Sequence, residues 1–206
     1  MFLTCGGYIR ARRASLSTNR TFMAVMQQQD FIRAIQSRTA RVAVSASSVR
    51  GAGGKGVVRA ARNFLRQLDL SRFSVDDASR YAAELDRATN ELRSALPRGA
   101  QHWGVARKVL NIFLRDCFYT SYLVSKYRLH RSESFMELPL DSITAKQLKS
   151  TVGRGALPSW CGVKHVTPEI NARFQNAAAI EAGKQRTTRL HLDALWWSVG
   201  RDRDAT

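Results

Sequence analysis

The sequence predicts an all-α fold, built as an irregular helical domain, on three observations. From Asp30 onward apolar residues recur at helical spacing, as in Phe31, Ile32 and Ile35. The period-two alternation of half-buried strands is largely missing. Helix start and stop signals punctuate the chain: Ser74 ahead of Asp76 and Asp77, then Pro97, then Thr167-Pro168-Glu169.

With 206 residues and 44% apolar content, the chain can bury one sizeable core and is short for two independent domains. Residues 1–29 carry four arginines and no acidic residue, with several Ser, Thr and Gly, and read as a basic, disordered tail. A mitochondrial targeting segment, or an upstream start ahead of Met23 or Met26, are the other readings of that tail. Residues 30–206 are expected to form the single helical domain. Within it, a helix capped by Ser74 should run from about Val75 to Leu96 and end at Pro97. Val105 to Tyr127 reads as one long helix, apolar on most sides and therefore buried on most sides. Another helix should start at Thr167-Pro168 and stop near Gly183, and a last one holds Leu192, Leu195, Trp196 and Trp197.

Charge narrows the function. Thirty-three basic residues against 16 acidic give a formal net charge of +17, a self-repulsion that an anionic partner would offset. Nucleic acid is the first such partner and a membrane surface the second. No run of 18 apolar residues exists, which excludes a spanning helix. Cys5, Cys117 and Cys161 are scattered, arguing against a zinc site, an iron–sulfur cluster and a disulfide framework, so no metal or cofactor is expected and a reducing cytoplasmic setting fits. The stretch from Phe31 to Leu68 holds eight Arg or Lys and no acid, which makes Arg59 and Arg62 candidate phosphate contacts. The glycine loop from Gly51 to Gly56 inside it is not a P-loop, because Gly56 follows Lys55 where Ser or Thr would bind magnesium.

Two residues carry candidate chemistry. Lys108 falls in the expected first turn of the long helix, where burial and the positive helix end both lower a lysine pKa and make the amine a usable nucleophile. Asp141 precedes a short helical pattern, a setting in which aspartate ordinarily serves as an N-cap.

Gly104-Val105-Ala106-Arg107-Lys108, followed by Pro139-Leu140-Asp141-Ser142-Ile143-Thr144-Ala145-Lys146, resembles the helix-hairpin-helix DNA glycosylases, with their G-V-G-x-K hairpin and P-V-D-T-x-V-x-R catalytic loop. The second stretch is the stronger match. The 33-residue separation of Lys108 from Asp141 is similar to the archaeal 8-oxoguanine glycosylase branch. The likeness spans roughly Gly99 to Lys149 and departs from the pattern at Ala106, where the hairpin has its second glycine. The four-cysteine cluster of the iron–sulfur subgroup is absent from the sequence.

The resemblance implies a helix-hairpin-helix element and an active-site cleft between helical subdomains. It also implies a monomeric, nucleoid-associated enzyme that acts on double-stranded DNA. Such an enzyme flips out and excises a modified base, either an oxidised one such as 8-oxoguanine or a bulky phage-type one. Lys108 and Asp141 would be catalytic, with an abasic-site lyase step through a lysine Schiff base. Gly104, Ala106, Arg107, Lys146 and Lys149 would join Arg59 and Arg62 in contacting DNA. Trp103, Trp160, Trp196 and Trp197 could stack on the extruded base; Trp103, beside the hairpin, is the preferred stacking residue, while Trp196 or Trp197 is expected in the core. A non-catalytic helix-hairpin-helix DNA-binding protein and a basic ribonucleoprotein component are the competing readings.

Overall fold

Every regular element among the described residues is helical, as the sequence predicts. The computed structural model describes residues 27–52, 54–153 and 155–202, with side chains through Trp196. The expected tail lies outside these residues except at 27–29, which are already helical.

Helix α1 (27–43) buries Ile32, Gln36, Ala40 and Ala43, a stripe at helical period, and with Val44 just beyond its end packs against α2 (Val57–Leu65). The two helices satisfy each other's free carbonyls. Gln36 Nε2 donates to Leu65 O at 3.0 Å and Leu68 O at 2.7 Å, and Arg62 donates from Nε to Val44 O at 2.8 Å and from a terminal nitrogen to Arg41 O at 3.0 Å. Between them, Gly56 takes a φ of 95°, which suits glycine at the residue that opens α2.

A 3-10 turn (Leu70–Phe73) leads to α3 (Ala78–Ala95), which begins later than expected. Asp77 is its cap, accepting from Arg80 N at 2.8 Å, whereas Ser74 closes the preceding 3-10 turn. A carboxylate three residues before a free amide outcompetes the more distant serine. Tyr81, Leu85, Ala88 and Leu92 form the buried stripe of α3 and pack on α4 (Trp103–Phe118).

The long helix expected through Tyr127 is two helices, α4 and α5 (Ser121–Tyr127). Thr120 breaks it: its backbone turns extended and its hydroxyl donates to Asp116 O at 2.8 Å, occupying the carbonyl that its own N–H would have used. As expected, α4 is buried nearly all round, and Cys117 lies within the core with its thiol pushed well above its usual pKa by burial.

After a 3-10 segment (Leu129–Phe135) the chain runs without regular structure to Leu140 and enters α6 (Ser142–Val152). Thr167 and Pro168 start α7 (Pro168–Lys184) as expected, one residue longer than the Gly183 stop, and α8 (Arg189–Asp202) folds back on it. Two apolar clusters result. One gathers Val57, Leu85, Val105, Leu110 and Phe113 from the first helices; the other gathers Leu138, Leu148, Phe174, Ala178 and Leu192. Trp196 packs against the second cluster, as expected; the Trp197 side chain lies outside the described residues. No helix among the described residues is long and apolar enough to cross a membrane.

Candidate active site

The segment between the two apolar clusters is fixed from both sides. Gln175 on α7 clasps Leu138 like a neighbouring strand, accepting from Leu138 N at 3.0 Å and donating to Leu138 O at 2.8 Å. One residue earlier, Glu137 receives Arg107 in a two-pronged bond at 2.8 and 2.9 Å, Asn111 at 2.9 Å and Asn171 at 3.2 Å. Burial alone would raise the Glu137 carboxyl, but the Arg107 bond and charge reverse this and hold it below its usual value. Residues 107 and 137 thus lock α4 to the segment that leads into α6, and Lys108 and Asp141 meet beside the lock.

Asp141 does two things with two oxygens. Oδ1 caps α6, accepting from Ile143 N at 2.9 Å and Thr144 N at 3.0 Å, while Thr144 Oγ1 accepts from Asp141 N at 2.9 Å to complete a capping box. Oδ2 lies 3.8 Å from Lys108 Nζ. The cap freezes the carboxylate in the orientation that presents Oδ2 to the amine, so the ordinary structural role and the ion pair coexist.

Lys108 is 10% exposed at its side chain, and its pKa is lowered. Burial is the main cause and the Arg50 charge adds to it, while Asp141 pulls the other way. The helix dipole contributes less than the sequence implied. Because α4 starts at Trp103, Lys108 sits in its second turn, beyond the reach of the helix end.

Both side chains open into a cleft of about 900 Å³ where the two clusters meet. Ile112, Arg115, Asp116 and Tyr119 continue its wall along α4, and Arg50, Trp160 and Asp193 enter from other elements. Sequence reasoning passed over all of these as site residues except Trp160, which it ranked below Trp103. The spacing of Lys108, Ile112, Arg115, Asp116 and Tyr119 on one helical face was a usable signal, since it sets polar groups on an otherwise apolar helix. Nothing local marks Trp160 or Asp193.

The expected DNA contacts divide. Arg107 is a correction: its side chain is 7% exposed, and Glu137, Asp86 and Thr89 consume its donors. Arg62 is another, since its guanidinium closes the end of α1. Gly104 and Ala106 are buried. A Cβ on Gly104 would lie 2.2 Å from Val163 O, so this glycine admits the chain's own 3-10 turn (Val163–His165), not a phosphate. Trp103 stands outside the cleft lining, its ring 5.1 Å below the Arg107 guanidinium, and Trp160 takes the aromatic place in the cleft. Arg59 and Lys146 remain exposed and Lys149 half-buried. Arg59 and Arg62 of α2, with Lys55 just before the helix and Arg66 at its C-cap, line a shallow groove of about 460 Å³.

No protein-family model, curated protein or solved structure matches the chain.

Proposed function

We propose that the chain is a DNA N-glycosylase in which Lys108 and Asp141 break the bond between a modified base and its sugar. The observation that carries this reading is a largely buried amine 3.8 Å from a carboxylate oriented by a capping box, both facing one cleft. A purely structural ion pair has no need of a cavity beside it, and a DNA-binding module has no need of an amine with a lowered pKa.

The chemistry follows from the two groups. As the carbon–nitrogen bond to the base breaks, the base leaves with its electron pair and takes up the proton that Lys108 sheds through Asp141, and positive charge grows on the sugar. Asp141 Oδ2 stabilises that charge across a site from which water is partly excluded. Lys108 Nζ forms the new bond to the anomeric carbon and passes its proton to Asp141. Ring opening then yields a Schiff base, from which strand cleavage by β-elimination can proceed. The partner in this reading is double-stranded DNA with the target base extruded into the cleft. The α3–α4 connection would serve as the hairpin, and Lys55, Arg59, Arg66 and Lys146 would engage phosphates.

The test is incubation with duplexes carrying single modified bases, oxidised or bulky, followed by alkali to reveal abasic sites. The reading expects release of at least one base by the native protein and none by Asp141→Asn. Release that survives in Asp141→Asn would place the chemistry elsewhere.

A further inference from the structure

The cleft is longer than one base requires. From Lys108 to Tyr119 its wall follows α4 for 11 residues, roughly 16 Å at a rise of about 1.5 Å per residue. A base ring held at Lys108 and Asp141 covers roughly one helical turn, about 5.4 Å, and so reaches Ile112. Two turns of wall lie beyond it. The volume of about 900 Å³ is also near the top of the range, roughly 300–1,000 Å³, of pockets that enclose whole drug-sized ligands.

This far half is polar and organised. Arg115 binds one oxygen of Asp116 at 2.9 Å and one oxygen of Asp193, setting a single cation between two carboxylates. The Asp116 carboxyl is pushed up by burial, with Arg115 opposing. Tyr119 stacks on His191, ring centroids 5.6 Å apart, and its hydroxyl lies 2.9 Å from His191 Nδ1. His191 Nε2 in turn lies 3.0 Å from Glu133 Oε1. In the tautomer that donates Nε2–H to Glu133, Nδ1 accepts the Tyr119 hydroxyl proton, which leaves the phenol oxygen as an acceptor.

The chemistry of these walls selects a ligand. Arg115 is held between two carboxylates, so it offers no free cation to a phosphate or carboxylate group. Carboxylate and phenol oxygens in acceptor orientation call for neutral hydroxyl donors, and the flat faces of Tyr119 and Trp160 suit the C–H faces of a saturated ring. We propose that this compartment receives a hydroxyl-rich substituent, about the size of a hexose, carried on the base. The inference rests on the glycosylase reading and names its substrate class: a base bearing a sugar.

The experiment uses duplexes with one glucosylated 5-hydroxymethylcytosine, 5-hydroxymethylcytosine or 8-oxoguanine, and takes two readouts. Base release is measured with the native protein, and equilibrium binding with Asp141→Asn, which keeps the bound base intact. The glucosylated duplex should be released and bound at least about tenfold better than the hydroxymethyl one, a margin of ~1.4 kcal/mol. Tyr119→Phe on the Asp141→Asn background removes one half-exposed hydroxyl and should cut the binding margin several-fold; Asp193→Asn should cut it further. Release of a small base with equal binding of all three duplexes would overturn the inference and leave the glycosylase reading standing. A binding margin that depends on Tyr119, with no base released from any duplex, would uphold the compartment and overturn the cleavage reading. Neither release nor margin would overturn both.

Discussion

Removing Arg107 tests whether the guanidinium beside Lys108 and Asp141 is a clamp or a DNA contact. Its side chain is 7% exposed and bonds Glu137 in two places, with Asp86 and Thr89 taking a further nitrogen. In Arg107→Met the Glu137 carboxylate, itself 11% exposed, keeps only the amides of Asn111 and Asn171. Breaking a buried pair by removing one partner costs about 3–5 kcal/mol. At roughly 2–4 °C per kcal/mol for a chain of this size, the melting temperature should fall by about 6–20 °C. Arg107→Met with Glu137→Gln should recover part of the loss, because no charge is then left unpaired. The assay is thermal unfolding followed by circular dichroism, paired with DNA affinity measured against salt. A phosphate contact would lower the slope of log affinity against log salt by about 0.9, while a clamp leaves it unchanged. A melting temperature within 2 °C of the native value, as for an ordinary surface change of about 0.5 kcal/mol, together with a shallower slope, would refute the reasoning.

Gly104→Ala forces a methyl group against Val163 O, a backbone atom that cannot swing away, and should cost about 1–3 kcal/mol in thermal unfolding; an unchanged melting temperature would contradict the close approach. If about four phosphates are neutralised, log DNA affinity should fall with log salt at a slope near −3.6. Arg59→Gln and Arg66→Gln should each reduce that slope by about 1, whereas Arg62→Gln should lower stability without changing it. Lys108→Met should raise the melting temperature at pH 7. Burial holds the folded-state pKa below the unfolded one, so below both values the ammonium subtracts from stability, and the penalty is relieved as pH rises from the folded to the unfolded value. The gap between mutant and native protein should therefore narrow in alkali, and a mutant less stable at every pH would show that the ion pair outweighs desolvation.

Helical period, capping residues and the apolar face of α4 were legible because each is a local signal read over one or two turns. Thr167 and Pro168 mark the start of α7 wherever the rest of the chain goes. Boundaries that depend on competition were not legible: Ser74 lost to Asp77, and Thr120 turned its hydroxyl on Asp116 and divided a continuous apolar pattern. Lys108 and Asp141 stood out through their motif, and the structure brings their charged groups within 3.8 Å. Arg107 was misassigned to DNA because its partner Glu137 lies 30 residues away, and a sequence shows the cation without the carboxylate that consumes it. Trp160 and Asp193 reach the cleft only through the packing of α6, α7 and α8, for which no local pattern speaks.

The most direct test of the proposed chemistry does not depend on which base the protein would excise. A duplex carrying a single abasic site presents the open-chain aldehyde to which an amine at the site adds with loss of water, and borohydride reduces the resulting imine to a permanent bond. The account expects a covalent protein–DNA adduct whose cross-linked peptide contains Lys108, absent in Lys108→Gln and greatly slowed in Asp141→Asn at unchanged DNA affinity. An adduct on another lysine that persists in Lys108→Gln, or no adduct from a native protein that binds the duplex, would contradict it.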